Sequence, residues 1–170
     1  MEFQTLLESR RSVRSYDASK TVTREQIKEI VEAGILAPSW KNSQTARYYC
    51  VIDEAAKEKF AKECLPEFNI NSSKGAGAYV ITTFVANRSG FDREGNPDNE
   101  CGNGWGYYDL GLHNENVILK AKELGLDTLV MGIRDGEKIR EMLDIPETEI
   151  IVAVIAVSYT HLTLPTTSRV

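Results

Sequence analysis

At 170 residues, 42% hydrophobic and 26% charged, the chain has the composition of one ordinary globular domain. A net charge of -5 leaves no basic stripe for nucleic acid, and the longest apolar run, residues 150–157, is too short to cross a bilayer. Cys50, Cys64 and Cys101 lack a Cys-x-x-Cys spacing, so neither a disulfide framework nor a zinc site is indicated. The charged N-terminus has no signal-peptide core, and the expectation is a cytoplasmic protein with no nucleic-acid and no membrane partner.

Phe3, Leu6 and Leu7 recur at helical spacing and predict a short helix over residues 3–11. It leads into Arg10-Arg11-Ser12-Val13-Arg14, three guanidinium groups within five residues of an acidic chain. Such a cluster suits either a phosphate, which guanidinium forks grip bidentately, or the solvated end of a helix, where cations are favoured. Thr23 and Gln26 form a capping-box pattern, and Ile27, Ile30, Val31, Gly34 and Ile35 make one apolar stripe behind it. Pro38 ends that helix. Residues 39–44 follow as a loop dense in small donors and acceptors, then a strand over 47–52 and a polar helix over 54–63. Residues 69–75 read as a turn and residues 78–85 as an apolar strand.

Residues 87–104 predict a long loop of the kind that serves as a lid. A helix over 105–124, apolar on more than one face, must be covered on more than one side, and His113 reads as one of its surface residues. Gly125 terminates it, residues 127–131 form a strand, Asp135 caps a helix to Leu143, and residues 150–157 form a buried strand. Strands interleaved with helices in this way predict a layered α/β sandwich. Residues 158–170 break the pattern, with no periodicity and many threonines, and read as an atypical tail, either replaced or artefactual.

The Arg10–Arg14 motif, the following amphipathic helix and then Ala37-Pro38-Ser39-Trp40-Lys41-Asn42-Ser43-Gln44 together resemble the FMN-dependent nitroreductase family. A late Leu124-Gly125-Leu126-Asp127-Thr128 turn and Met131-Gly132 extend the resemblance over residues 1–157. The family implies a three-layer α+β sandwich with a mixed, mainly antiparallel sheet, and a homodimer with shared flavin sites. It also implies that Arg10, Arg11, Ser12 and Arg14 hold the phosphate and polar chain of FMN, with Arg14 toward the pyrimidine side. Asn71 and Lys74 resemble a pair meeting the same edge, though a plain turn with a solvated lysine accounts for them equally. Pro38, Ser39, Trp40 and Asn42 align with the loop that reaches the flavin from the other subunit. Met131 and Gly132 align with the strand end near the ring face, Met131 being equally readable as core.

The sequence departs from the family at Thr45-Ala46, where Pro-Trp is usual, and in the tail, where a basic segment is usual and Arg169 is a weak substitute. The implied activity is an oxidoreductase that takes hydride from NADH or NADPH and passes it to a nitroaromatic, quinone or similar small-molecule acceptor in ping-pong fashion. No side-chain acid or base is required. The alternatives are flavin fragmentation or reductive dehalogenation on the same scaffold, and a non-enzymatic flavin-binding protein. Metal chemistry is not indicated: His113 and His161 are the only histidines and no His-Glu-x-x-His pattern occurs. Gly102-Asn103-Gly104-Trp105-Gly106 follows a polar loop and so does not make a dinucleotide fingerprint.

Overall fold

The computed structural model of the chain describes residues 1–160, so His161 and Arg169 lie outside the described residues. Four strands, β1 (Ala46–Val51), β2 (Ala78–Val85), β3 (Asp127–Met131) and β4 (Glu149–Ser158), form one sheet in the order β1-β2-β4-β3. All strand pairs are antiparallel, and the parallel component is a single bridge between Ser12 and Thr128. The helices are α1 (Phe3–Ser9), α2 (Arg24–Ile35), α3 (Glu54–Cys64), α4 (Glu67–Ser72), α5 (Gly104–Glu123) and α6 (Gly136–Leu143).

Alternation along the strands sends apolar side chains to both faces. Tyr79 and Ile81 of β2, with Val154 and Ala156 of β4, meet Phe60 of α3 and Ile139 of α6. Ala78 and Val80, with Ile155 and Val157, meet Ile27 and Ile30 of α2 and Val117 and Ala121 of α5. Helices therefore cover the sheet on both sides, which is the three-layer arrangement the sequence implied. Local signals fix where the helices begin and end. Thr23 Oγ1 accepts from the Gln26 N–H (3.2 Å) and Gln26 Oε1 from the Thr23 N–H (3.0 Å), completing the capping box. Asp53 and Asp135 cap α3 and α6. Gly125, at φ +78°, ends α5 in the left-handed conformation its sequence position suggested.

Two expectations are corrected. Residues 69–75 are not merely a turn, because Asn69 to Ser72 belong to α4. Asn69 is buried, and its side-chain amide donates to the Ile133 carbonyl (2.7 Å), so a distant partner makes a helix of a polar stretch. His113 is not a surface residue but is 4% exposed, with Nδ1 at 2.7 Å from the Asp109 carbonyl. The long loop begins and ends close together, since Asn87 and Asn103 exchange two hydrogen bonds of 2.7 and 2.9 Å.

The layers come closest where glycines replace side chains. A Cβ on Gly106 of α5 would lie 2.2 Å from the ring of Phe84, itself fully buried at the end of β2. A Cβ on Gly34 of α2 would lie 2.8 Å from Val117 of α5. Gly111, in the same helix as Gly106, faces open space. Gly106→Ala therefore forces the layers apart, at a cost of ~1–3 kcal/mol that outweighs the gain in helix propensity. Gly111→Ala keeps only that gain, ~0.5–1 kcal/mol. Thermal melts of the two variants should shift in opposite directions.

Candidate functional site

The candidate residues separate into two groups. The first begins where α1 ends. From Arg10 the chain runs extended beside β3, with the Val13 N–H donating to the Thr128 carbonyl (3.0 Å) and the Asp17 N–H to that of Tyr159 (2.9 Å). Tyr16 anchors this segment in the core and donates its hydroxyl proton to the Val13 carbonyl (3.0 Å). Burial, reinforced by the charge of Asp127, pushes its phenol well above the usual tyrosine range, so it stays a neutral donor.

The arginines above this anchor face outward. Arg11 Nη1 donates to the carbonyls of Glu8 (2.6 Å) and Arg10 (2.7 Å), the capping role expected of a cation at a helix end. Arg14 makes one long contact, 3.4 Å, to the Ser12 carbonyl. No ion pair among the described residues involves Arg10, Arg11, Arg14 or Lys74. Lys74 and Asn71 are exposed. Lys74 precedes Gly75, where an added Cβ would lie 3.4 Å from the Tyr16 carbonyl and from Ala18, so this turn packs on the segment that follows the arginines. Asn69 joins α4 to Ile133, just past Met131 and Gly132. Met131 is 2% exposed, its side chain filling the core, whereas Gly132 is exposed with open space where a Cβ would stand. The edge of β3 thus gathers Arg10, Arg11, Ser12, Arg14, Asn71, Lys74 and Gly132.

The second group lies on the loop between α2 and β1. Trp40 to Asn42 form one 3-10 turn, and Lys41, Asn42 and Gln44 all have positive φ, between 47° and 54°. Ser39 Oγ accepts from the Gln44 N–H (3.0 Å). Trp40 packs against Trp105 of α5 at 4.4 Å between ring centroids, and Trp105 Nε1 donates to Asn99 (2.9 Å). Lys41 pairs with Asp98 across the long loop (2.7 Å). Pro38 and Asn42 are exposed, and an open cleft of about 660 Å³ separates the turn from residues 87–95, with Arg88 and Phe91 on its far wall. Asp109 supports the turn from beneath, accepting the Trp40 N–H at 2.9 Å and the Ser89 hydroxyl at 2.5 Å. Sequence reasoning missed Asp109 and Ser89. The available signal was a single acid of poor helix propensity among the apolar positions of α5.

One chain does not bring the two groups together. Thr128 pairs with Val157 and hence lies level with Ala78, at the start of β2, while Ala46 pairs with Phe84 near its end. That part of β2 spans roughly 20 Å. Helix α5 gives the same measure, since it holds Trp40 through Asp109 and the base of β3 through a Lys122–Asp127 pair. The rise between those two positions is also roughly 20 Å.

The Nitroreductase family model matches residues 7–159. A protein of Archaeoglobus fulgidus, provisionally named an NADH dehydrogenase/NAD(P)H nitroreductase, is 25% identical over 158 residues, 91% of this chain and 83% of its own length. The fold of an enone reductase of gut-bacterial fatty-acid saturation superposes with a TM-score of 0.82 at 20% identity, covering 99% of this chain and 93% of that one. An oxidoreductase containing FMN superposes at 0.80 with 24% identity, covering 95% and 79%.

Arg10 is half-buried and Arg14 exposed, and neither forms an ion pair among the described residues. Arg10→Ala combined with Arg14→Ala should shift the melting temperature of ligand-free protein by less than about 2 °C, since unpaired surface side chains contribute little to stability. A larger loss in a thermal melt would show a structural role.

Proposed function

The chain belongs to the Nitroreductase family, and from that premise we infer that it is an NAD(P)H-dependent oxidoreductase whose FMN is held between two copies of the chain. The observation that carries this reading is the cluster of guanidinium groups without carboxylate partners among the described residues, on a protein whose net charge is negative. Like charges so close are favourable when an anion sits among them. The donor set fits FMN. Arg10, Arg11 and Ser12 suit its phosphate and polar chain, Arg14 with Asn71 and Lys74 suits the pyrimidine edge, and the open space at Gly132 admits a flat ring against backbone.

Bound FMN would supply hydride transfer from NADH or NADPH to a nitroaromatic, quinone or similar acceptor, in a ping-pong cycle. The chain's own residues bind and orient. Arg14 presents an exposed cation that stabilises negative charge on the ligand. No side chain need move a proton, because the site opens to solvent.

A homodimer is supported by the separation of the two groups. Residues 38–42 stand about 20 Å from the arginines of the same chain, so a ligand that meets both must meet them on different copies. Leu36 (84% exposed), Ile35 and Tyr108 lie beside the loop and offer apolar surface for a second copy.

Flavin-stripped protein titrated with FMN should turn yellow, elute as a dimer and consume NADH when menadione or nitrofurazone is supplied. Arg10→Ala with Arg14→Ala removes up to two charge-assisted contacts and should weaken FMN by ~100-fold or more. Undiminished FMN occupancy in that variant would overturn the phosphate assignment, and a wild-type protein that takes up no FMN would overturn the function.

A further inference from the structure

Asp109 points from α5 into the protein and is 3% exposed, yet no ion pair involves it among the described residues. A buried carboxylate without a cation is costly unless its acceptor capacity is used. Here one oxygen, Oδ2, takes donors from two separate loops, the Trp40 N–H and the Ser89 hydroxyl. We propose that Asp109 is a positioning residue that sets the shape of residues 39–44, in which Ser39, Trp40 and Asn42 meet the flavin, and couples that shape to the long loop through Ser89. The functional part of this assignment rests on the FMN reading given above.

The loop needs an external anchor. Lys41, Asn42 and Gln44 occupy left-handed conformations that L side chains disfavour, and such torsions persist only where surrounding contacts over-determine them. Several polar contacts are internal to the loop: Ser39 Oγ with the Gln44 N–H, the Asn42 N–H with the Ser39 carbonyl, and the Ser43 N–H with the Trp40 carbonyl. None of these ties the loop to the rest of the molecule. Of the contacts that reach outward, Lys41–Asp98 is solvent-exposed on the lysine side and weakened by screening. The Trp40–Trp105 packing is apolar, and the Trp40 Nε1 has no hydrogen-bond partner among the described residues, so the ring is held only by this packing and by the exposed Lys41 ammonium over its face. The Trp40 N–H to Asp109 bond is therefore the buried polar anchor of the turn. Ser89 lies two residues inside the Asn87–Asn103 clasp, so the same carboxylate also holds the base of the long loop.

Asp109→Ala, Asp109→Asn and Ser89→Ala are compared with wild type, first without FMN and then with it. Without FMN, the readouts are tryptophan emission, which reports the Trp40–Trp105 pair, and tryptic cleavage after Lys41, with circular dichroism as the check of folding. Asp109→Ala should red-shift the emission, speed cleavage several-fold and then weaken FMN by tenfold or more. Asp109→Asn keeps an acceptor oxygen of the same shape and should fall between Ala and wild type. Arg10→Ala should weaken FMN while leaving emission and cleavage unchanged. If Asp109→Ala does not fold, Asp109→Asn and Ser89→Ala carry the same comparison. Wild-type emission and cleavage in folded Asp109 variants would overturn the anchor, and altered loop signals with undiminished FMN affinity would overturn its role at the flavin. Failure of the wild type to bind FMN would sink the flavin reading, while the FMN-free measurements would still decide the anchor.

Discussion

The central strands β2 and β4 are buried on both faces in this protein, and that single constraint determines where anything functional can stand. A sheet packed on each side by helices offers no open face, so ligand-binding groups are confined to its ends and its edge strands. The arginines take the β3 edge, and the Pro38-containing loop takes the opposite end, above the start of α5. The distance between them is a property of the layers, since β2 has eight residues and α5 has twenty. Gly106 and Gly34 show how tightly the layers are set: at each, the space for one methyl group is already taken by a side chain from another element.

The electrostatics follow the same division. Several cations elsewhere in the structure have a carboxylate neighbour, as in Lys120 with Glu29 and Glu123, or the largely buried Lys57 with Glu54. Residues 10–14 concentrate three arginines without such a neighbour among the described residues, and a short extended segment pinned beneath by Tyr16 and by backbone bonds to β3 presents them. Pinning matters because flexible arginines lose side-chain entropy on meeting a ligand, and a fixed backbone limits what remains to be ordered. Rigid support below and unpaired charge above describe a group that is stable without its ligand and attractive to an anion.

The opposite end is built differently. Its loop is internally bonded but unfavourable in its torsions, and it is held by one buried carboxylate and an aromatic pair. A carboxylate that serves two loops makes their positions interdependent. The turn and the long loop beside the cleft are then expected to move as one unit, which is a property of the junction at Asp109 and of neither loop alone.

Much of this was legible in the sequence. Helix boundaries followed from the Thr23–Gln26 box, Pro38, Gly125 and Asp135 because caps and breakers act within a few residues, and a reader of the chain has those residues in view. Strand positions followed from apolar runs, and the arginine cluster and the Pro38-containing loop were visible as motifs. The family match over residues 7–159 agrees with the resemblance those motifs carried. What the sequence could not determine depended on partners far away along the chain. Helix α4 exists where polar residues read as a turn, because Asn69 finds the carbonyl of Ile133. His113 and Asp109 are buried because α5 is enclosed on that side, and a polar residue in a helix carries no local mark of which side will be covered. That the two candidate groups stand far apart was likewise decided by strand register, a long-range pairing that no local pattern encodes.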